Sequence, residues 1–522
     1  MNDDEARAIL LAGAEAYQRG EVAEALRIFE HAARTGDGGL RQSALINAAS
    51  MADELGEHAT ALGWYRQALA ELPEAAVEKR VSALINYSQA LQHVGDLGQA
   101  QDALERAREL LGGGEEFGSL RVACLLSLCA VAFHRGRWTR TIELATESLD
   151  AAVRFAPHLA GHPLSNLAGA YFETGNRDLA VDFARQALAA FESARDANGV
   201  AETRQNLATM LLRMNRPDAA EPLLRAAQEY FERAGLGHRA GIGRKTLGFL
   251  AEGRGDRAAA GDCYSRAHEY FRSSGAVLDA ADVEVRLATL AFHRGDIARG
   301  EELLATAFRA YAERGLGLHC AQIDFWHAAL LETVVDAAPA PDPVLLSAAT
   351  DLAVTAAVAI DAVRHTFGNG GQREQWNRAV ADPAMRLAFR FAYLRGDAAL
   401  LVDLIETQCA GATLNISAPA DDRAPARLPL DLLEPPAPGP PEDDGVATLM
   451  AGTASPADPR AGANALQLGA ALAEVVASAG LPVAPPPRLA VGSDGHIALA
   501  AYITAAEQRY GRAVRDDLVV TV

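Results

Sequence analysis

A turn residue returns along the first three hundred positions with a period near 40, and that period governs what the chain can fold into. Gly20, Gly56, Gly95, Gly136, Gly175, Asn215, Gly255 and Gly295 are spaced 36 to 41 residues apart, each followed by a charged or polar residue. Five residues after each comes a small side chain: Ala25, Ala61, Ala100, Thr141, Ala180, Ala220, Ala260 and Gly300. Larger apolar residues follow four on, as at Phe29, Tyr65, Leu104, Leu224, Tyr264 and Leu304. Another small residue comes three beyond: Ala32, Ala68, Ala107, Ser148, Ala187, Ala227, Ala267 and Ala307. Seven residues before each turn lies a further compact residue: Gly13, Ala49, Ser88, Cys129, Ala168, Ala208, Gly248 and Ala288.

On both sides of the turn the spacing is helical, so each period is a pair of antiparallel helices. Such helices approach to about 8–10 Å only where their crossing points carry small side chains. Glycine at the turn lets the chain leave the first helix through a left-handed conformation. Half of the residues are apolar but only 6% are aromatic, so the core is built mainly from Ala and Leu. That composition suits close helix packing and gives little support to an all-β fold.

The order of small, aromatic, Gly and Ala residues in NLAGAYFETGNRDLAVDFARQAL (166–188) resembles the tetratricopeptide repeat. The resemblance covers residues 1–310 as eight in-phase copies. It departs from the family at Thr141, Gly300 and Asn215, and in lacking the terminal Pro. It implies an all-α fold, a right-handed α-solenoid of stacked helical hairpins that works by binding another protein or peptide. The longer period lengthens the helices by roughly one turn, since each residue adds about 1.5 Å.

Past residue 310 the phase weakens. Segments 318–337 and 342–366 predict one long hairpin, and 372–395 with 398–409 another, so that 311–410 caps the stack. Of the 23 prolines, 14 fall between Pro419 and Pro487, and 411–462 reads as a linker. Residues 463–522 are expected to form a small α+β element. It comprises a helix at 464–479, a hairpin of RLAV and HIAL about an Asp-Gly turn, a helix at 499–510 and a terminal strand at 517–522. The stretch AMRLAFRFAYLRGDAALLVDLIETQC (384–409) is similar to the closing helices of bacterial arrays that precede caspase-like CHAT proteases. Residues after Cys409 include His496 and no cysteine, so the resemblance implies an array without the protease, a sensor or regulatory subunit for a separate effector bound by the tail.

The net charge of −20 argues against a nucleic-acid or anionic-membrane partner. The acidic start MNDDEARAILLAG is unlike a secretory signal, and Asp351 and Asp361 interrupt the longest apolar stretch, so cytoplasmic residence is expected. Only Lys79 and Lys245 are lysine among 48 basic residues, which suggests GC-rich coding and a bacterial source. Catalytic, cofactor and metal signatures are not read from the residues. GIGRKTLG (241–248) lies inside a repeat helix rather than in a phosphate-binding loop, and His158 and His162 flank a Gly-Pro turn with no third ligand. His93, His134 and His293 each stand two residues before a turn, where the helix dipole favours them.

The candidate site is a polar row. Nine residues before the turn stand Asn47, Asn86, Asn166 and Asn206, with Arg286 in the eighth repeat. Gln89, Thr209 and Thr289 share that helical face, which lies opposite the small-residue seam and therefore lines the concave groove. An Asn amide both donates and accepts, matching the backbone of an extended peptide. Arg213, Lys245 and Arg286 add a contact for an anionic end.

Overall fold

In the computed structural model the described residues are 3–19, 21–112, 116–340, 342–367, 370–411, 489–491, 495–515 and 519–521. The first helices of the eight repeats are α1 (Asp3–Gln18), α3 (Gly38–Glu54), α5 (Val77–His93), α7 (Gly118–His134), α9 (Gly161–Glu173), α11 (Ala197–Arg213), α13 (Gly237–Gly253) and α15 (Val277–His293). The second helices are α2 (Val22–Thr35), α4 (His58–Glu71), α6 (Leu97–Leu111), α8 (Trp138–Phe155), α10 (Arg177–Ala194), α12 (Pro217–Arg233), α14 (Arg257–Ser274) and α16 (Ile297–Ala312). Each helix packs on the next in sequence, which makes an all-α solenoid of the tetratricopeptide type.

The turns repeat one local solution. Gly56, Gly95, Gly136, Gly175, Asn215, Gly255 and Gly295 all adopt positive φ, between 57° and 92°. The next residue then donates its N–H five residues back, as Asp96 does to Leu91 O (2.8 Å) and Asp256 to Ala251 O (3.0 Å). That bond absorbs a carbonyl the helix end would leave unpaired. Where the next residue is Asp it also caps the following helix: Asp96 Oδ1 accepts from Gln99 N at 3.0 Å, and Asp256 Oδ1 from Ala259 N at 3.0 Å. Asn215 replaces glycine because its short side chain tolerates the left-handed region.

The small residues are the crossing points. Ala25, Ala61, Ala100, Thr141, Ala180, Ala220 and Ala260 have no exposed surface, and Gly300 is buried with them. Ala32, Ala68, Ala107, Ser148, Ala187, Ala227, Ala267 and Ala307 are likewise fully covered. Their size is set by the large neighbour: a β-carbon on Gly248 would stand 2.6 Å from the Tyr264 ring, and one on Gly13 2.5 Å from Phe29.

The stack coils back on itself. Gly56, in the second repeat, lies against Tyr270 in the seventh, and Gly95 against Arg314, whose Nη2 donates to Val94 O at 3.5 Å. Gly136 meets Leu318, and Gly175 O accepts from Gln375 Nε2 at 2.6 Å. Turns of repeats two to five thus dock onto the chain about 200 residues later, and adjacent coils touch.

Beyond the repeats, α17 (Gly317–Ala337) and α18 (Pro343–Asp361) form a long hairpin, followed by α19 (Gly370–Trp376), α20 (Asp382–Arg395) and α21 (Ala398–Gly411). The expected continuous helix over 372–395 is interrupted by a π-helical turn at Asn377–Ala381. Pro383 accounts for this, because it has no N–H to donate and its ring crowds the carbonyl four residues earlier. Pro343–Thr366 is long and apolar enough to span a membrane, but 61% of it is buried, with Val354, Ala357 and Ile360 in the cap core.

The linker from residue 412 onwards and the helix expected at 464–479 lie outside the described residues. The expected hairpin does not form. β1 (Leu489–Val491) pairs in parallel with β2 (Val519–Thr521), in the register Leu489 to Val519. Parallel strands need a crossover, and α22 (Ala500–Tyr510) lies on it. Burial of Leu499 and Ile503 in the cap core holds the segment after the Asp-Gly turn there instead of in a return strand.

Ala180→Arg tests the seam. A buried unpaired guanidinium in a space sized for a methyl group should cost several kcal/mol and collapse the thermal unfolding midpoint; a variant as heat-stable as the parent would mean the helix register is wrong.

Candidate binding lumen

The candidate row lies on the first helices, and the docking of early turns onto later chain makes the inside of the coil the candidate lumen. Ion pairs on the inner face run along the repeat axis. Arg213, the last residue of α11, forms a two-pronged pair with Glu173, the last residue of α9, one of its bonds measuring 3.2 Å. Its guanidinium also lies 4.6 Å from the Phe172 ring centre. Lys245 Nζ on α13 donates to Asp282 Oδ2 on α15 at 2.5 Å. Arg286 sits between Phe249 and Trp326, with ring centres 4.9 and 5.8 Å away.

The charges sense one another through this wall. Partial desolvation on the inside of the coil would lower the Arg213 guanidinium, but Glu173 beside it and Asp282 further along hold it above its ordinary value. Lys245 follows the same pattern, burial being outweighed by Asp282 and Asp279. His319 is different: burial pushes it down to about 4, with His134 acting in the same sense. Its ring stacks on Tyr311, the centres 5.0 Å apart, and its Nδ1 is buried without a hydrogen-bond partner.

The residues of the sequence-predicted row fall into three groups. Gln89, Asn206 and Arg213 are exposed, while Asn47, Asn86, Asn166, Thr209, Lys245 and Arg286 are half-buried. Thr289 is buried beneath Trp326, whose Nε1 donates to its hydroxyl at 2.8 Å. Two asparagines also bind neighbouring helices: Asn86 Nδ2 donates to Ser50 Oγ at 3.3 Å, and Asn166 hydrogen-bonds Cys129. Thr209 gives its hydroxyl proton to Gln205 O on its own helix at 2.9 Å.

Sequence reasoning did not single out Glu173, Asp282, Phe172, Phe249 or Trp326. A signal for Glu173 was present, since it stands two residues before Gly175 as Arg213 does before Asn215. Asp282 has an acidic counterpart in Glu202, the same distance before its own turn, whereas Trp326 lies outside the eight repeats and only the fold places it.

Residues 81–106, 121–193 and 160–234 match the tetratricopeptide repeat family. Those segments are tetratricopeptide repeats. Its repeats are similar in fold to several solved structures. A Rap protein complexed with Competence and Sporulation Factor shares 12% identity, over 70% of this chain and 99% of that one, with a TM-score of 0.44. NprR in complex with its cognate peptide NprX shares 13%, over 57% and 92%, at 0.39. The apo form of the quorum sensor NprR from B. thuringiensis shares 15%, over 68% and 98%, at 0.38. No curated protein matches this sequence.

The half-buried, neutral His319 sets a pH dependence. Its folded value near 4 lies below the ordinary 6.5, so as pH falls the unfolded chain takes up the proton first. Its contribution is complete above about 6.5 and declines towards 4. Thermal midpoints should therefore drop between pH 7 and pH 5, and His319→Gln should flatten that drop; an identical slope in the variant would contradict it.

Proposed function

We propose that this chain is a cytoplasmic protein- or peptide-binding adaptor that holds an extended guest segment along its lumen and performs no chemistry on it. One observation carries this reading: exposed or half-buried polar groups recur on successive inner helices while every crossing point is sealed. Gln89, Asn206, Arg213 and Lys245 lie on α5, α11 and α13 and keep accessible donors. Arg213 has five N–H groups and Glu173 engages it on one side, so a guest carboxylate has a place to bind. Side-chain amides supply paired donors and acceptors for guest backbone, each net bond contributing about 0.5–1.5 kcal/mol.

A second reading is a regulatory subunit of a bacterial signalling or defence system, in which an occupied lumen controls a separate effector, such as a CHAT protease, through the tail. The arrangement of α17 favours it. Asp324 on that helix is buried and grips the tail, accepting from Arg509 Nε at 2.5 Å, Arg509 Nη2 at 2.9 Å and Tyr510 Oη at 2.8 Å. Two residues on, Trp326 faces Arg286 in the lumen wall. A guest displacing Trp326 would bear on the helix that holds the tail.

A peptide selected from a displayed random library supplies the probe. Against the double variant Asn206→Ala, Arg213→Ala its affinity should fall by about tenfold or more, from the loss of one neutral and one charge-assisted bond. Unchanged affinity in a variant with unchanged circular dichroism removes the lumen as the site. For the second reading, the same peptide should alter hydrogen exchange at residues 500–510, and an unaltered tail rules out the relay.

A further inference from the structure

Four metal-ligating side chains from three distant repeats meet where the coils touch. Asp53 closes α3, His58 opens α4, His93 ends α5 and His238 begins α13. Asp53 Oδ1 lies 2.6 Å from His58 Nδ1 and 3.1 Å from His93 Nδ1. One ligand atom from each of these three residues lies within 4.8 Å of the others. The three imidazole centres form a triangle, His58 to His93 4.8 Å, His93 to His238 4.7 Å and His58 to His238 5.8 Å. We propose that Asp53, His58, His93 and His238 bind one divalent transition-metal ion of the zinc class, which clasps the second and third repeats to the seventh.

The dimensions fit. Zinc binds an imidazole nitrogen at about 2.0–2.1 Å, which puts each ring centre about 3 Å from the ion and neighbouring centres about 5 Å apart at tetrahedral angles. The site is buried on one side, His58 being 1% exposed and Asp53 7%, while His93 and His238 are half-buried. Two of its ring nitrogens, His58 Nε2 and His238 Nδ1, are buried without a hydrogen-bond partner. Buried nitrogens in folded proteins are nearly always paired, so these two lone pairs call for an electron-pair acceptor. The other nitrogen of His238 lies 3.5 Å from Asp279 Oδ2, the carboxylate–imidazole arrangement that orients a metal-binding histidine. An all-N/O donor set rich in imidazole suits zinc, nickel, copper or iron rather than calcium or magnesium.

The repeat pattern hides this site. His58 and His238 stand at different positions of their repeats and 180 residues apart, so no periodic signal joins them.

The full chain, stripped with a chelator and dialysed, is titrated with Zn²⁺ by calorimetry and with Co²⁺ by visible absorption. One equivalent should bind, giving Co²⁺ ligand-field bands without a thiolate charge-transfer band. The double variant His93→Gln, His238→Asn should lose this binding while keeping its circular dichroism. Asp279→Asn should weaken it about 10–100-fold, as loss of an orienting carboxylate does. The proposal is overturned if the parent chain takes up no stoichiometric ion, if the double variant binds as tightly, or if a thiolate band places the ion on cysteine. Metal uptake is read without any guest peptide, so its failure leaves the lumen reading untouched.

Discussion

Ala180 and its counterparts at the crossing points have no exposed surface, and where the small residue is glycine, as at Gly13, Gly248 and Gly300, a large ring fills the space beside it. This contact fixes how closely two helices approach, and therefore the rotation from one repeat to the next. The accumulated rotation over about five repeats brings the turns of repeats two to five against chain about 200 residues later. The same glycines that reverse the chain at Gly56 and Gly175 leave room there for Tyr270 and Gln375. A side chain at those turns would strain the backbone and hold the coils apart.

Coiling concentrates charge where an acidic protein would otherwise disperse it. The outer helices carry short-range pairs such as Arg225 with Glu221, both solvated and worth little individually. The inner pairs, Arg213 with Glu173 and Lys245 with Asp282, join neighbouring first helices; Arg213 also lies over Phe172, and Arg286 sits between Phe249 and Trp326. Both signs are present, so a guest held as proposed would be recognised by matching a pattern and not by bulk attraction.

The hairpins were legible because a 40-residue period is written into the identity of every crossing residue. Thr141 and Gly300 depart from alanine, yet both are buried at the seam as the register required. The inner row was legible in part: Asn206 and Arg213 follow from the face opposite the seam, whereas Thr289 lies under Trp326, a residue outside the eight repeats. Contacts between coils left no trace in the sequence, because they join residues far apart at unlike repeat positions. In the tail, the Asp-Gly turn pointed to a hairpin, but the strand that pairs with Leu489–Val491 comes after α22. Local turn chemistry cannot choose between a near partner and a distant one.

The seams between coils, held by Arg314 at Val94 and Gln375 at Gly175, have a kinetic consequence. A trough open along its length admits a chain sideways, all at once. A tube whose coils are zipped together admits it only by threading from a mouth or by transient parting of the zip. For a guest bound as proposed, capture and escape would be slow together, and residence time would be governed by the breathing of the walls as much as by affinity.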